Sequence, residues 1–342
     1  MKKGLPGPVK GLIKLILVAI GTLLLYFVIK GICGKNQYMM MVVNSALIYS
    51  LIAYSISVML GMGGELSFAG VAFMGGGGFL VANLTTGRLG IEMNPVLAFV
   101  LIIPVFAVVA FLIGLVLLRL KGTFFTFSTI ALVQMTYTIY NNYKVLFGGA
   151  DGISGVPTTV LFGKKLFFYS DWLPALLIVA VGIGLIVSRI RSTPLGRSLA
   201  SCRDNETAAR TLGVNVYLTK VIAFTIAGVL SAMAGGLYTL LMKFVSADMF
   251  TYASSTKYVI MAMLGGVQST AGAFFGAIIV QVLPQLLKNF ERYFQLFWGV
   301  AIVLLMVFMP EGIAGIIKST GYKMRSNRKK KAAAAANTKE GA

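Results

Sequence analysis

Between Gly196 and Val216 the chain reads GRSLASCRDNETAARTLGVNV, placing Arg197, Arg203, Asp204, Glu206 and Arg210 close together although only 12% of all residues are charged. Side chains of these types can form ion pairs, cap helices and dock on partners. They do not make a catalytic constellation. The chain has no histidine, and its only cysteines are Cys33 and Cys202. His general-base chemistry and the usual zinc ligand sets are therefore excluded, no metal site or catalytic residue is assigned, and no disulfide is expected. No G-x-x-x-x-G-K-[ST] occurs, so the chain carries no recognisable ATPase of its own. Read locally, Asp204 or Asn205 is an N-cap, Glu206 lies in the first turn, Glu206 and Arg210 form an i,i+4 pair, and Gly213 stops the helix. The predicted helix runs from Asn205 to Leu212. Isolated helices shorter than about 12–15 residues are marginal in water, so this one must dock, either on its own domain or on a partner. Ala208, Ala209 and Leu212 offer a small apolar face ringed by charge that suits a partner's groove.

The elements that hold this loop are membrane helices. Of the 342 residues 58% are apolar, with a mean hydropathy of +0.87, against roughly 45–50% in soluble domains. Thirty Lys and Arg against ten Asp and Glu give a net charge of +20. These basic residues cluster between apolar runs without the stripe of a nucleic-acid surface, so they serve orientation in the bilayer. Crossing takes about 20 apolar residues, and candidate runs are 15–32, 38–60, 95–118, 123–143, 172–190, 219–242 and 293–310. The first has a basic start but no A-x-A-like cleavage site and is read as an uncleaved span. Regions 64–84 and 255–287 are apolar but broken by glycine. If the first run starts in the cytoplasm and 64–84 crosses once, two-thirds of the thirty Lys and Arg fall inside, as the positive-inside rule requires. Keeping KSTGYKMRSNRKKK inside demands an even number of crossings by 255–287, through two short segments, 255–266 and 270–287, or a re-entrant excursion. The expectation is an all-α polytopic protein of about ten helices, both termini cytoplasmic. A membrane domain 1–317 contains the charged loop 191–218, and 318–342 is a basic tail.

Gly70, Gly75 to Gly78, Gly265, Gly266, Gly272 and Gly276 either let helix backbones approach closely or let a helix break along a cavity. Two interrupted regions, one in each half, are the pattern of pseudo-equivalent elements around a transport path. The acids fall at the ends of apolar runs or in loops. Glu65 comes nearest to an exception, at the start of a Gly-broken segment, where it either lines a polar path or is an interfacial carboxylate. Neutral groups dominate mid-membrane: Asn44, Ser67, Ser128, Gln134, Tyr137 and Asn141, whose ordinary role is helix-to-helix hydrogen bonding. Proton or sodium coupling is thus disfavoured, and energy for active transport would enter from another subunit.

The stretch 196–216 resembles the cytoplasmic loop of permease subunits of ABC importers of the branched-chain amino acid family. LRLKGTFFTFSTIAL at 118–132, GGADGISGVP at 148–157 and LGGVQSTAGAFFGA at 264–277 stand in the family's order, and GELSFAGVAFMGGGG resembles its early Gly- and Ser-containing segment. The resemblance covers roughly residues 40 to 315. It implies the fold of vitamin B12-type importer permeases, with inverted-repeat halves near 38–145 and 219–315, in a bacterial inner membrane. It also implies a second permease subunit, two cytoplasmic ATP-binding subunits and an extracytoplasmic binding protein, with no cofactor on this chain because ATP is bound by the partners. In this reading Arg203, Asp204, Asn205, Glu206, Ala209, Arg210 and Gly213 carry the coupling to the ATPase. Ser67, Gln134 and Asn141 are the path candidates, being neutral hydrogen-bonding groups suited to a zwitterion in transit. The cargo is a branched-chain or related amino acid, or urea, a nucleoside or a simple sugar. One departure is Gly70, where many relatives have a histidine. The rivals are a stand-alone channel or carrier, which wants an intramembrane acid, and an intramembrane enzyme, which wants paired carboxylates, a Ser–Lys pair or His ligands.

Overall fold

The structure, a computed structural model, describes residues 19–286 except 32, 33, 35, 89, 91 and 162, together with Gly299. The apolar run 293–310, the basic tail and Cys33 lie outside the described residues, as do 15–18 of the first run. Among the described residues twelve helices follow one another: α1 (Ala19–Gly31), α2 (Gln37–Ile56), α3 (Gly70–Thr86), α4 (Pro95–Leu117), α5 (Thr123–Asn142), the single turn α6 (Lys144–Phe147), α7 (Tyr169–Ile190), α8 (Pro194–Asp204), α9 (Glu206–Thr211), α10 (Val216–Met242), α11 (Tyr252–Gly265) and α12 (Thr270–Leu286). α2 continues as a π-helical turn, Ser57–Met62. Two-residue strands pair antiparallel at one end, β1 (Ile153–Ser154) with β4 (Phe244–Val245) and β2 (Val160–Leu161) with β3 (Lys164–Lys165).

Short polar residues set the helix starts. Asn36, Asn94, Thr193, Asn215 and Thr251 each accept a backbone N–H of the first turn through the side chain, and Pro95 and Pro194 open their helices, as N-cap chemistry favours. The caps explain why α10 and α11 begin one turn before the hydropathic runs at 219 and 255. Region 255–287 resolves into two helices, α11 and α12, whose turn at 266–269 reaches the end of α2. There the Ser57 hydroxyl donates to the Val267 carbonyl (2.6 Å). Among the described residues four helices are long and apolar enough to cross a membrane: α2 with its π turn, α4, α7 and α10. α1, α3, α11 and α12 are shorter.

α10 is the packing centre, with α3, α4 and α2 against it, while α12 lies on α2 and α11 on α12. The packing is reciprocal: α4 rests on α10 as α12 rests on α2. α3 and α10 touch backbone to backbone. A Cβ at Gly235 would sit on the Met74 carbonyl, and one at Gly77 on the Ala232 carbonyl. The GGGG run is therefore a close-packing surface, of the small-residue kind that membrane helices use. α4 buries the stripe Ala98, Ile102, Phe106, Ala110 and Gly114, and its other faces are exposed and apolar.

The two Gly-broken regions meet. In the non-helical stretch 64–69, the Phe68 carbonyl accepts from Ser255 Oγ (2.6 Å), and the Phe68 ring lies 5.5 Å from that of Tyr252. Because nothing can move aside at the α3–α10 contact, Gly235→Ala is expected to destabilise the protein by about 1–3 kcal/mol. Its melting temperature in detergent should fall. Gly182→Ala on α7, whose Cβ meets nothing within 4 Å, should leave that temperature unchanged or raise it.

Candidate functional site

The charged stretch folds as two helices that lean on the membrane domain. α8 buries Gly196, Leu199 and Cys202 on one face, and Leu199 lies against Gly63 at the end of the π turn. α9 is capped by Asn205, whose Oδ1 accepts from Ala208 N (3.1 Å). Asp204, the other cap candidate, pairs with Arg203 instead (2.8 Å). At the far end Val214 N donates to Ala209 O and Gly213 N to Arg210 O, both at 3.0 Å, with Gly213 at φ +81°. This is a Schellman termination, which needs the left-handed conformation that glycine adopts freely.

The orientation of α9 corrects one expectation. Ala209 is only 1% exposed and packs inward on Cys202 and Val216, so it is not part of an outward apolar face. What α9 presents outward is Ala208, exposed, and Leu212, 79% exposed, beside Thr207, Arg210 and Thr211. The expected Glu206–Arg210 pair is present but long, at 3.8 Å, and solvent-exposed. Such pairs contribute little.

Glu206 has a stronger partner. Lys220, one turn into α10 with its side chain 10% exposed, bonds both Glu206 Oε1 and Glu65 Oε1, the latter at 2.6 Å. Glu65, 13% exposed at its side chain, is thus a partnered carboxylate and not a free path-lining group. Arg203 grips the same region: its Nη1 donates to the Gly61 carbonyl (2.8 Å), and its side chain covers Gly64, where a Cβ would come within 2.7 Å of Arg203 Cγ. Lys220 is not among the residues that sequence singles out, because a lysine beside a basic loop reads as one more orienting charge. The available signal was a lysine just inside the apolar run that follows the Asn215 cap.

Burial also shapes the loop's titratable groups. It pushes the Cys202 thiol up, with nearby Lys220 opposing. It holds the Arg191 guanidinium below its ordinary value, helped by Arg203. Among the described residues no three His, Cys, Asp or Glu converge to hold a metal ion.

The path candidates do not share one site. Ser67 is buried and accepts from Ala69 N (3.3 Å). It faces a cavity of about 10 Å³ lined also by Ser55, Gly70, Phe73, Phe224 and Ser231, room for one water at most. A Cβ at Gly70 would come within 3.2 Å of Ser231 Oγ, so any larger side chain there requires the Ser231 hydroxyl to shift. Gln134 is exposed on α5 and Asn141 half-buried two turns on. α5 has 20 residues but is not among the four sufficiently apolar helices. Gln134, Thr138 and Asn142 run along its exposed side, a face poorly suited to lipid. At its far end Tyr137 donates to Asp248 (3.2 Å).

A family model described as "Branched-chain amino acid transport system / permease component" matches residues 38–309. The chain is similar to the high-affinity branched-chain amino acid transport system permease protein LivM of Escherichia coli (strain K12), 29% identical over 295 residues, covering 78% of this chain and 68% of the relative. It is also similar to the probable branched-chain amino acid transport permease protein LivM of Methanocaldococcus jannaschii, 25% identical over 76% of this chain and 83% of the relative. The autoinducer 2 import system permease protein LsrC of Escherichia coli O9:H4 is 26% identical over 78% and 75%. No solved structure matches the chain.

The inward packing of α8 and α9 predicts the behaviour of Cys202 in a Cys33→Ser background. Maleimide labelling of the native protein at pH 7.5 should be slow. Its rate should keep rising with pH beyond about 8.5, where an exposed cysteine levels off. Fast labelling with an early plateau would mean that the two helices do not cover the thiol.

Proposed function

The chain belongs to the branched-chain amino acid transport system permease family, and from that premise we propose that it is the membrane-spanning subunit of an ATP-driven importer working by alternating access. Two cytoplasmic ATPase subunits bind the ATP, a second related permease completes the membrane part, and an extracytoplasmic binding protein delivers cargo. Loop 191–218 and both termini then face the cytoplasm. The observation that carries this reading is α9: a two-turn helix with Leu212 and Ala208 outward and its inner side tied to the membrane domain through Glu206, with Arg203 of the adjoining α8 making a second tie. That shape suits a knob seated in a partner's groove. Arg210 and Leu212 make the partner contacts, with Asp204 exposed beside them, Asn205 and Gly213 set the length of the knob, and Arg203, Glu206 and Ala209 hold it from behind. The exposed polar side of α5 supports a path shared with the second permease, with Gln134 and Asn141 along it, and Ser67 joining only in another conformation. The reciprocal packing of α4 on α10 and α12 on α2 supports the inverted repeat and the vitamin B12-type fold.

Cargo follows from the relatives. Branched-chain amino acids are the first assignment, and the similarity to LsrC favours, as second reading, another small solute chosen by the binding protein. No covalent chemistry falls to this chain.

The test is co-purification of tagged protein with an ATP-binding subunit in mild detergent, with ATPase activity of the eluate. Leu212→Asp removes one exposed apolar anchor, a loss of about 1.5–3 kcal/mol. Recovery of the ATPase subunit should fall by about tenfold or more, while insertion and melting temperature stay as in wild type. A chain that purifies alone and transports in ATP-free proteoliposomes would sink the importer reading.

A further inference from the structure

We propose that Lys220 is a positioning residue through which movement of α9 reaches the break between α2 and α3, so that it couples the loop to the path without touching either solute or ATP. The inference rests on the importer reading above and adds the element that carries force inward. Its starting point is a juxtaposition: Glu65, just past the π turn, and Glu206, at the start of α9, converge on one nearly buried ammonium. Buried ionic groups contribute little net stability compared with apolar side chains of similar size, so stability alone does not account for the triad. What it supplies is a short, directional link between a surface helix and residue 65.

Arg203 provides a second hold on the same stretch, at the Gly61 carbonyl and over Gly64. α8 and α9 therefore grip the break at both its first residues and its first side chain. Beyond Glu65 the chain is non-helical up to α3, and its peptide groups are held by hydroxyls from two other helices. Thr126 Oγ1 donates to the Leu66 carbonyl (3.0 Å), Thr129 Oγ1 accepts from Phe68 N (3.2 Å), and Ser255 Oγ donates to the Phe68 carbonyl (2.6 Å). A displacement of residue 65 must pass to α5 and α11 through these bonds. α5 is the helix whose exposed side carries Gln134. Just before the break lies the π turn Ser57–Met62, a helix form that occurs mostly as single turns and frequently at functional sites. The contiguous route is α9, Lys220, Glu65, residues 66–68, and then both α5 and α11.

The experiment uses the complete importer with its binding protein in proteoliposomes, with radiolabelled leucine as probe. Uptake, ATP hydrolysis and bound ATPase subunit are measured for wild type, Glu65→Gln, Lys220→Met and Lys220→Arg. Glu65→Gln and Lys220→Met are expected to retain the ATPase subunit and to lower leucine uptake per ATP hydrolysed by about tenfold, within the usual range of coupling between sites. Lys220→Arg, which can still bridge two carboxylates, should restore most of that ratio. A merely structural role would reduce assembled protein, with uptake and hydrolysis falling together and uptake per ATP unchanged. That outcome, with the ATPase subunit bound, overturns the proposal alone. If Lys220→Met fails to fold, the near-isosteric Glu65→Gln decides the matter. Wild-type protein that takes up leucine without ATP overturns the importer reading and this inference together.

Discussion

A helix that ends against packed neighbours leaves peptide groups cut off from water, and each of them must find a partner within the protein. Residues 61–69 are where this chain meets that constraint, and the partners come from well-separated parts of the sequence. Arg203 of α8 bonds the Gly61 carbonyl, Thr126 and Thr129 of α5 bond Leu66 and Phe68, and Ser255 of α11 bonds Phe68 again. Ser67 bonds Ala69 N, and the Glu65 amide returns to the Met59 carbonyl. The charged loop is therefore part of how the membrane domain closes its own backbone. It is not an appendage.

Lipid as solvent also inverts the usual relation between hydropathy and burial. α4 has the highest mean hydropathy of the four long spans, 3.2, yet only 22% of its span is buried, whereas α2 has 1.7 and is 89% buried. Lipid tails are as apolar as leucine, so an apolar face gains nothing by turning inward. Small and weakly polar residues gain by close approach and by hydrogen bonds. α2 accordingly buries Asn44, Ser45, Ser50 and Ser55, and Asn44 reaches across to the Tyr169 carbonyl (2.7 Å). The same logic brings Gly77 and Gly235 to the centre, where α3 and α10 touch.

The charges follow a third rule. A two-turn helix in water has too few internal hydrogen bonds to persist, and α9 is held by what lies behind it: Ala209 on Cys202 and Val216, and Glu206 on Lys220. These contacts leave its outer side free for Leu212. The apolar seat and the ion pair together set the angle at which the helix is presented.

Much of this was legible in the chain because it depends on neighbours within a few residues. Asn205 and Gly213 bound α9 through their own side-chain and backbone preferences, and apolar runs bounded by charge located the long helices. The break in region 255–287 followed from glycine and from the parity that the basic residues demand. What the sequence could not decide is direction around each helix axis and pairing across long separations. Whether Ala209 faces inward or outward turns on the packing of Cys202 and Val216, and Lys220 has one partner 155 positions away and another 14. Spacing along a chain determines which residues form a helix, because helix formation is local. Which side chains meet at residue 65 depends on how separate helices cross, and only the tertiary structure decided that.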